Sequence, residues 1–175
     1  MRNKGFTLIE LLTAITIFTV VMTISMGSIV GIFDANRKSR SLKTVMGNLN
    51  LAVESMAKEM RFGENYHCGS SGNITTPQNC SSGGTFMSFL SSDGVQTSYR
   101  LSGQILEKEE VGGGFVSVTA PELLIDGLTF YTLGAGTSDT LQPKVIIIIK
   151  GRVGGDKGRS DFTLQTLVSQ RTLDI

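Results

Sequence analysis

The chain has 175 residues, 40% of them hydrophobic, and its 16 basic and 15 acidic residues leave a formal net charge of +1. A nucleic-acid-binding surface needs a strong basic excess, so this balance argues against direct binding to nucleic acid. One membrane-length segment leaves about 140 residues, enough for a single globular domain with its own core.

The chain begins with a short basic leader followed by a long apolar segment. The leader Met1–Gly5 has two basic residues, and the run Leu11–Phe33 has no charged residue. About 20 apolar residues in a helix span a bilayer, whereas a secretory signal has a shorter apolar core and a small-residue cleavage site after it. No such site closes this run, so the sequence predicts a membrane anchor that is retained.

Glu10 is a single carboxylate at the start of this apolar segment. An ionised carboxylate in hydrocarbon costs roughly 2.5–3.5 kcal/mol even on lenient scales. Two interpretations follow from its position. Glu10 pairs with a cation on another chain, or it reaches the headgroup region and favours the N-terminus of a helix.

The hexapeptide Gly5-Phe6-Thr7-Leu8-Ile9-Glu10 resembles the leader of bacterial type IV prepilins and type II secretion pseudoprepilins. The resemblance implies that a membrane prepilin peptidase cuts after Gly5 and methylates the new N-terminal Phe6. It also implies that Glu10 neutralises the terminal amine of a neighbouring subunit during assembly. The implied partners are the peptidase, other pilin or pseudopilin subunits, an inner-membrane assembly platform and, before assembly, the lipid bilayer.

The orientation of the anchor has conflicting indications. Four basic residues follow the apolar run, at positions 37, 38, 40 and 43, and a count of basic flanks favours keeping that side in the cytoplasm. A prepilin-like leader must instead face a peptidase on the cytoplasmic side, and two cysteines suggest an exported domain. We therefore expect a single-pass protein of the bacterial inner membrane, N-terminus in and C-terminus out, that enters a periplasmic pseudopilus or an extracellular pilus.

Small residues recur every four positions along the apolar segment, at Thr19, Thr23, Gly27, Gly31 and Ala35. This spacing places them on one side of an α-helix, and Gly27 and Gly31 form a GxxxG pattern that permits close helix packing in lipid. The alternative is a chance stripe, because small residues are common in membrane helices. Major pilins of the resembled family usually carry a proline near the position of Gly27, and this chain has none there.

Beyond the membrane segment, apolar residues keep a helical period from Leu42 to Met60, with polar residues between them. The sequence thus predicts one helix from Phe6 to about Arg61, apolar all round at first and amphipathic later. The predicted segments are a leader at 1–5, a transmembrane and assembly helix at 6–33, an amphipathic helix at 34–66, and a β-rich domain at 67–175.

Cys68 and Cys80 enclose a polar loop that cannot build a core of its own. In an exported domain they predict a disulfide worth up to about 3 kcal/mol. Zinc binding is the weaker alternative, because only His67 lies nearby and a closed site needs four ligands.

The remaining chain predicts an antiparallel sheet, with a hairpin turn at Ser91-Ser92-Asp93-Gly94. The run Val145–Ile149 is too apolar for an edge strand and should lie mid-sheet against the long helix. The fold class is therefore α+β and pilin-like. Predicted strands are Thr85–Leu90, Val95–Leu101, Gln104–Val111, Phe115–Val118, Leu128–Leu133, Lys144–Val153 and Phe162–Arg171.

No catalytic motif is present, and the chain has a single histidine, so we expect neither enzyme activity nor a cofactor. The loop 154–161 has two carboxylates that could bind Ca²⁺, but a solvated hairpin is the favoured interpretation, and no metal is predicted. The expected function is a minor pilin or pseudopilin, similar to the larger minor pilins and J-type pseudopilins. The alternatives are a major or adhesive pilin, and a membrane-tethered binding domain or enzyme that uses the leader only for export.

Overall fold

The computed structural model of the chain describes residues 5–69, 76–136, 141–153 and 160–171. The chain divides into two compact units, Met1–Ser41 and Leu42–Ile175. One helix, α1, spans Leu8–Arg61 and contributes to both units. Its end at Arg61 matches the prediction, its start lies two residues after the predicted Phe6, and no proline occurs before Pro77 to interrupt it.

In the first unit, every described residue is exposed. In the second unit, the apolar stripe of α1 faces the core at the spacing of a helix with one buried side. Its buried members are Val45, Leu49, Ala52, Val53, Met56 and Met60.

The first sheet has five strands in the order β1-β2-β3-β4-β5, all antiparallel to their neighbours. The predicted hairpin is confirmed: the Gly94 N–H donates to the Ser91 carbonyl at 2.9 Å, and Gly94 has a φ of 73°. A positive φ suits glycine because it has no Cβ. The strands are β1 Glu64–His67, β2 Phe86–Leu90, β3 Gln96–Ser102, β4 Ile105–Glu110 and β5 Val116–Ser117.

The second sheet has three antiparallel strands, β6 Leu123–Leu133, β7 Lys144–Val153 and β8 Ser160–Ser169. The apolar strand β7 lies in the middle, as its composition predicts, with Val145, Ile147 and Ile149 buried. These side chains share one core with the buried face of α1 and with Phe89, Tyr99 and Phe130. The fold is therefore α+β, a long N-terminal helix with antiparallel β-structure, like that of pilins.

The structure corrects the sequence-based description in three places. The strands form two sheets and not one, joined by an isolated bridge between Gly84 and Phe130. Strand β6 begins at Leu123, before the predicted Leu128, because a bulge between Ile125 and Gly127 interrupts the alternation that identifies a strand.

The third correction concerns the end of α1. The helix ends at Arg61, so residues 62–66 of the predicted helical segment 34–66 lie outside it and partly in strand β1, which the sequence did not predict. At Gly63 an added Cβ would lie 2.5 Å from the Phe89 ring, so only glycine allows this close turn into the sheet. Asn65 then has a φ of 53°, which disrupts the period-2 pattern of a regular strand.

Candidate functional site

The N-terminus of α1 is closed by two side chains of the hexapeptide. The Thr7 N–H and the Thr7 hydroxyl both donate to Glu10 Oε2, at 3.0 and 2.8 Å. In return, the Glu10 N–H donates to Thr7 Oγ1 at 3.4 Å. Thr7 is thus the N-cap and Glu10 the third helical residue, which is the reciprocal arrangement of a capping box.

This box was not predicted, although the spacing Thr-x-x-Glu before an apolar run is its sequence signal. The box explains why α1 begins at Leu8 and leaves Phe6 outside the helix, with 90% of its surface exposed. The Glu10 carboxylate is also exposed, one helical turn from Phe6. The Gly5–Phe6 bond lies just before the box, while residues 1–4 of the predicted leader lie outside the described residues.

The apolar part of α1 is suited to a membrane by length and composition. Among the described residues, α1 is the helix that meets this test, with a mean hydropathy of 2.1 over an 18-residue window and none of that window buried. Exposed side chains here include Phe18, Ile24 and Phe33. An exposed apolar surface of this size is typical of a segment that contacts a membrane or another protein.

The predicted small-residue stripe lies on this exposed part. The hydroxyls of Thr19 and Thr23 donate to the carbonyls four residues earlier, each at 2.8 Å, so both groups are satisfied within the helix. A Cβ added at Gly27 or Gly31 would meet no atom within 4 Å. The stripe, which ends at Ala35, is therefore open to close approach by another helix, and its use for packing stays a prediction.

Cys68 and Cys80 form a disulfide, with their Cα atoms 6.0 Å apart. Three hydrogen bonds with backbone N–H donors attach the end of the enclosed loop to its surroundings. The Cys80 N–H donates to the Thr132 carbonyl and the Gln78 N–H to the Tyr66 carbonyl, each at 2.8 Å. The Asn79 side chain accepts from the Ala135 N–H at 2.8 Å, so the bridge connects β1 with β6.

A polar cluster links α1 to the first sheet. Lys108 Nζ lies 2.9 Å from Glu59 and 3.0 Å from Glu110, and the Tyr99 hydroxyl donates to Glu59 at 2.8 Å. Burial, and then the Glu59 charge, raise the pKa of Tyr99. For Lys108, burial lowers the pKa, but hydrogen bonds from its ammonium to Glu59 and Glu110 outweigh this effect and raise it overall.

The charged groups of this cluster form ion pairs with one another inside the second unit. The cluster borders a pocket of about 160 Å³ beside the β2–β3 turn, where the single ammonium of Lys108 is shared between the carboxylates of Glu59 and Glu110. His67 is engaged locally, because its Nδ1 accepts the Gly69 N–H at 2.9 Å. Within the described ranges, no three His, Cys, Asp or Glu side chains are placed to hold a metal ion. The loop 154–161, considered for Ca²⁺, lies mostly outside those ranges.

Comparison with known proteins matches residues 1–26 to the family described as the prokaryotic N-terminal methylation motif. The matched region includes the Gly5–Phe6 bond and Glu10 but ends before the second structural unit. No curated protein and no solved structure matches the chain.

Proposed function

We propose that this chain, which carries the N-terminal methylation motif of type IV prepilins and pseudopilins, is a minor subunit that primes or tips a pilus-like filament. The motif over residues 1–26 is the observation that carries the proposal, because it supports a structural filament subunit over an enzyme. The exposed apolar part of α1 supports the same role, since it needs a bilayer before assembly and helices of other subunits afterwards.

The proposed maturation has three steps. Prepilin peptidase cleaves between Gly5 and Phe6 and methylates the Phe6 amine. The anchor keeps its N-terminus on the cytoplasmic side of the inner membrane, and the second unit lies on the far side. The Cys68–Cys80 disulfide supports this orientation, because such bonds persist in oxidising compartments. An assembly platform in the membrane then transfers the subunit to the filament.

For assembly we propose that the Glu10 carboxylate pairs with the Phe6 amine of a neighbouring subunit. Both groups would leave water together, which makes their attraction much stronger than that of a surface pair. The capping box supports this role, because two hydrogen bonds from Thr7 to Glu10 Oε2 hold the carboxylate at the first turn of α1, close to Phe6. The stripe Thr19, Thr23, Gly27, Gly31 and Ala35 would let the helices approach closely.

A minor subunit is favoured over a major one by the second unit, whose described residues form two sheets with eight strands. The absence of proline near Gly27 also departs from the pattern of major pilins. The alternative of a major or adhesive subunit predicts that the chain is abundant in sheared filaments. The alternative of a tethered binding domain predicts that the chain remains in the membrane when filaments form.

The first prediction concerns processing. The mature protein should begin with N-methylated Phe6, because glycine at the preceding position fits a narrow peptidase subsite. Intact-mass analysis of protein from membranes checks this, and Gly5→Val, with a branched side chain at the same position, should accumulate uncleaved. Mature protein that begins at Met1 would rule out the proposed maturation.

The second prediction separates the charge of Glu10 from its capping role. Glu10→Gln keeps an oxygen that can complete a capping box, whereas Glu10→Ala removes the charge and the box together. We expect both variants to be cleaved, inserted and disulfide-bonded normally, and both to be lost from filaments. The measurement compares the sheared-filament fraction with the membrane pool.

Glu54→Gln is the matched control, because Glu54 is an exposed acid on α1 within the second unit. This variant should enter filaments like the wild type. Normal incorporation of Glu10→Gln would show that the charge is not needed, and the proposed pairing with the Phe6 amine would then be wrong.

A further inference from the structure

The last residues of the first unit carry basic side chains that the proposed function does not use. Arg37, Lys38 and Arg40 follow the apolar run of α1 closely, and all three are exposed. We call these three residues the basic segment. The positive-inside rule places such charges on the cytoplasmic side of a membrane, whereas the proposed maturation places them on the far side. Their presence there needs another explanation.

The basic segment has an excess of positive charge that the chain itself does not neutralise. Asp34 is the only acidic residue between Glu10 and Glu54. It precedes Arg37 and Lys38 at spacings that allow ion pairs on a helix. Within the ranges that the structure describes, neither pair forms, and Arg37 and Lys38 have no other ion pair. An anion from outside the chain can therefore reach both side chains.

The position of the basic segment along α1 matches the headgroup layer of a bilayer. A helix rises about 1.5 Å per residue, so the three residues lie roughly 6–11 Å beyond Phe33 along the helix axis. The headgroups add about 5–8 Å to each side of a hydrocarbon core of about 30 Å. Long basic side chains can also extend back along a helix to reach phosphate groups. When the apolar run spans a membrane, the basic segment therefore lies among lipid phosphates.

We propose that the basic segment binds anionic phospholipid headgroups in the leaflet beyond Phe33. Two observations favour lipid over an acidic protein. The segment directly follows the exposed apolar part of α1, for which we propose lipid as the surroundings before assembly. At about 100° per residue, its three side chains also leave the helix over about 160° of the circumference, which fits a surrounding layer of headgroups better than one carboxylate. The proposal rests on the proposed membrane anchoring of α1 and not on the filament role.

Contact quenching of a single tryptophan tests this preference for anionic lipid. The chain has no tryptophan, so Phe33→Trp gives a reporter chain with one, at the end of the apolar run where the native side chain is 65% exposed. The full reporter chain is reconstituted in vesicles of phosphatidylcholine and phosphatidylglycerol, with bromine on the acyl chains of one lipid or the other. Bromine quenches tryptophan only at near contact, so the quenching reports which lipid surrounds residue 33. We expect phosphatidylglycerol to be favoured by roughly fivefold at low salt and by less at high salt.

Charge variants of the reporter chain test whether the basic segment causes the preference. The triple variant Arg37→Gln/Lys38→Gln/Arg40→Gln removes three charges but keeps good helix formers, and it should lose the preference. Arg37→Lys/Arg40→Lys keeps every charge and should retain it. Equal quenching by the two brominated lipids in the reporter chain, or an unchanged preference in the triple variant, would overturn the proposal and favour an acidic protein as the ligand.

Lys58→Gln/Lys144→Gln/Lys150→Gln is the matched control, because it makes the same change in net charge at three exposed residues of the second unit. This variant should keep the preference for phosphatidylglycerol, and its loss here would contradict the assignment to the basic segment. A reporter chain that neither lipid quenches would not lie in the bilayer, and that result would overturn the proposed anchoring as well. Quenching without a preference would overturn only the lipid proposal.

Discussion

Glu59, Tyr99 and Lys108 show how single side chains connect the last turns of α1 to the first sheet. Only 1% of the Tyr99 surface is exposed, so its hydroxyl needs a hydrogen-bond partner inside the protein. The Glu59 carboxylate accepts that hydrogen bond. Lys108 shares the same carboxylate and neutralises it. Because Glu59 lies 40 positions from Tyr99 and 49 from Lys108 in the chain, the cluster stabilises a tertiary contact and not a local one.

The raised pKa of Tyr99 predicts that stability falls at alkaline pH. An unfolded tyrosine loses its proton near pH 10, while the folded one retains it, so the folded state binds more protons above that pH. One additional proton bound by the folded state lowers the free energy of unfolding by about 1.4 kcal/mol for each pH unit above that value. Tyr99→Phe removes this proton, so the free energy of unfolding of the variant should decline less steeply with pH. Urea unfolding at a series of values from about pH 8 to about pH 11 measures this decline.

Tyr131→Phe is the control for this experiment, since it removes a half-buried tyrosine from β6. It controls for the loss of a tyrosine hydroxyl from the second unit. Buried Tyr66 also has a raised pKa, from burial first and then the Glu64 charge, so a residual decline in Tyr99→Phe is expected. Identical slopes for wild type and Tyr99→Phe would contradict the prediction.

At the scale of the element, α1 changes character along its length. Up to residue 41 its described surface is exposed on all sides, and from Val45 to Met60 one face is buried. A helix that is apolar all round suits lipid or a helical bundle, and one with a single apolar stripe suits the surface of a globular domain. One continuous helix can therefore serve both units of the chain.

Two leucines on α1 make this contrast measurable. Leu49 is fully buried, and Leu51 is 66% exposed two residues later. Leu49→Ala leaves a cavity in the core and should lower the free energy of unfolding by about 2–5 kcal/mol. Leu51→Ala should change it by no more than about 0.5 kcal/mol. Denaturant unfolding of the full chain compares them, and equal effects would show that the burial pattern of α1 is wrong.

At the scale of the whole molecule, the second unit is held together across its two sheets. Gly84 exchanges backbone hydrogen bonds with Phe130, and Cys80 does so with Thr132. The Cys68–Cys80 disulfide joins the segment after β1 to the segment that pairs with β6. The disulfide thus adds a covalent link between the end of β1 and the segment that is hydrogen-bonded to β6.

Removing the disulfide should lower the stability of the second unit without changing its fold. A loop of this size restricts the unfolded chain by about 3 kcal/mol, which the double variant Cys68→Ser/Cys80→Ser should lose. Reductant should have the same effect on the wild type and none on the variant. Urea unfolding of both proteins, with and without reductant, checks this, and a wild type insensitive to reductant would contradict it.

The N-terminal part of the chain could be predicted from the sequence because each pattern that identifies it lies within a short stretch of residues. The methylation motif, the apolar run and the helical period from Leu42 to Met60 each lie within one continuous stretch. The same holds for the β2–β3 hairpin and for β7, whose apolar composition predicted a central strand. The capping box of Thr7 and Glu10 was equally local, and its spacing could have revealed it.

Only the tertiary structure decided how the strands divide into two sheets. The bridge of Gly84 with Phe130 joins residues far apart in sequence, and no local pattern encodes such a pairing. Strand β1 depends on Asn65 in a left-handed conformation and on the fit of Gly63 against Phe89, so it lacks the alternation of a regular strand. Local periodicity reports which face of an element is buried, whereas sheet partners are chosen by packing and by hydrogen bonds between distant segments.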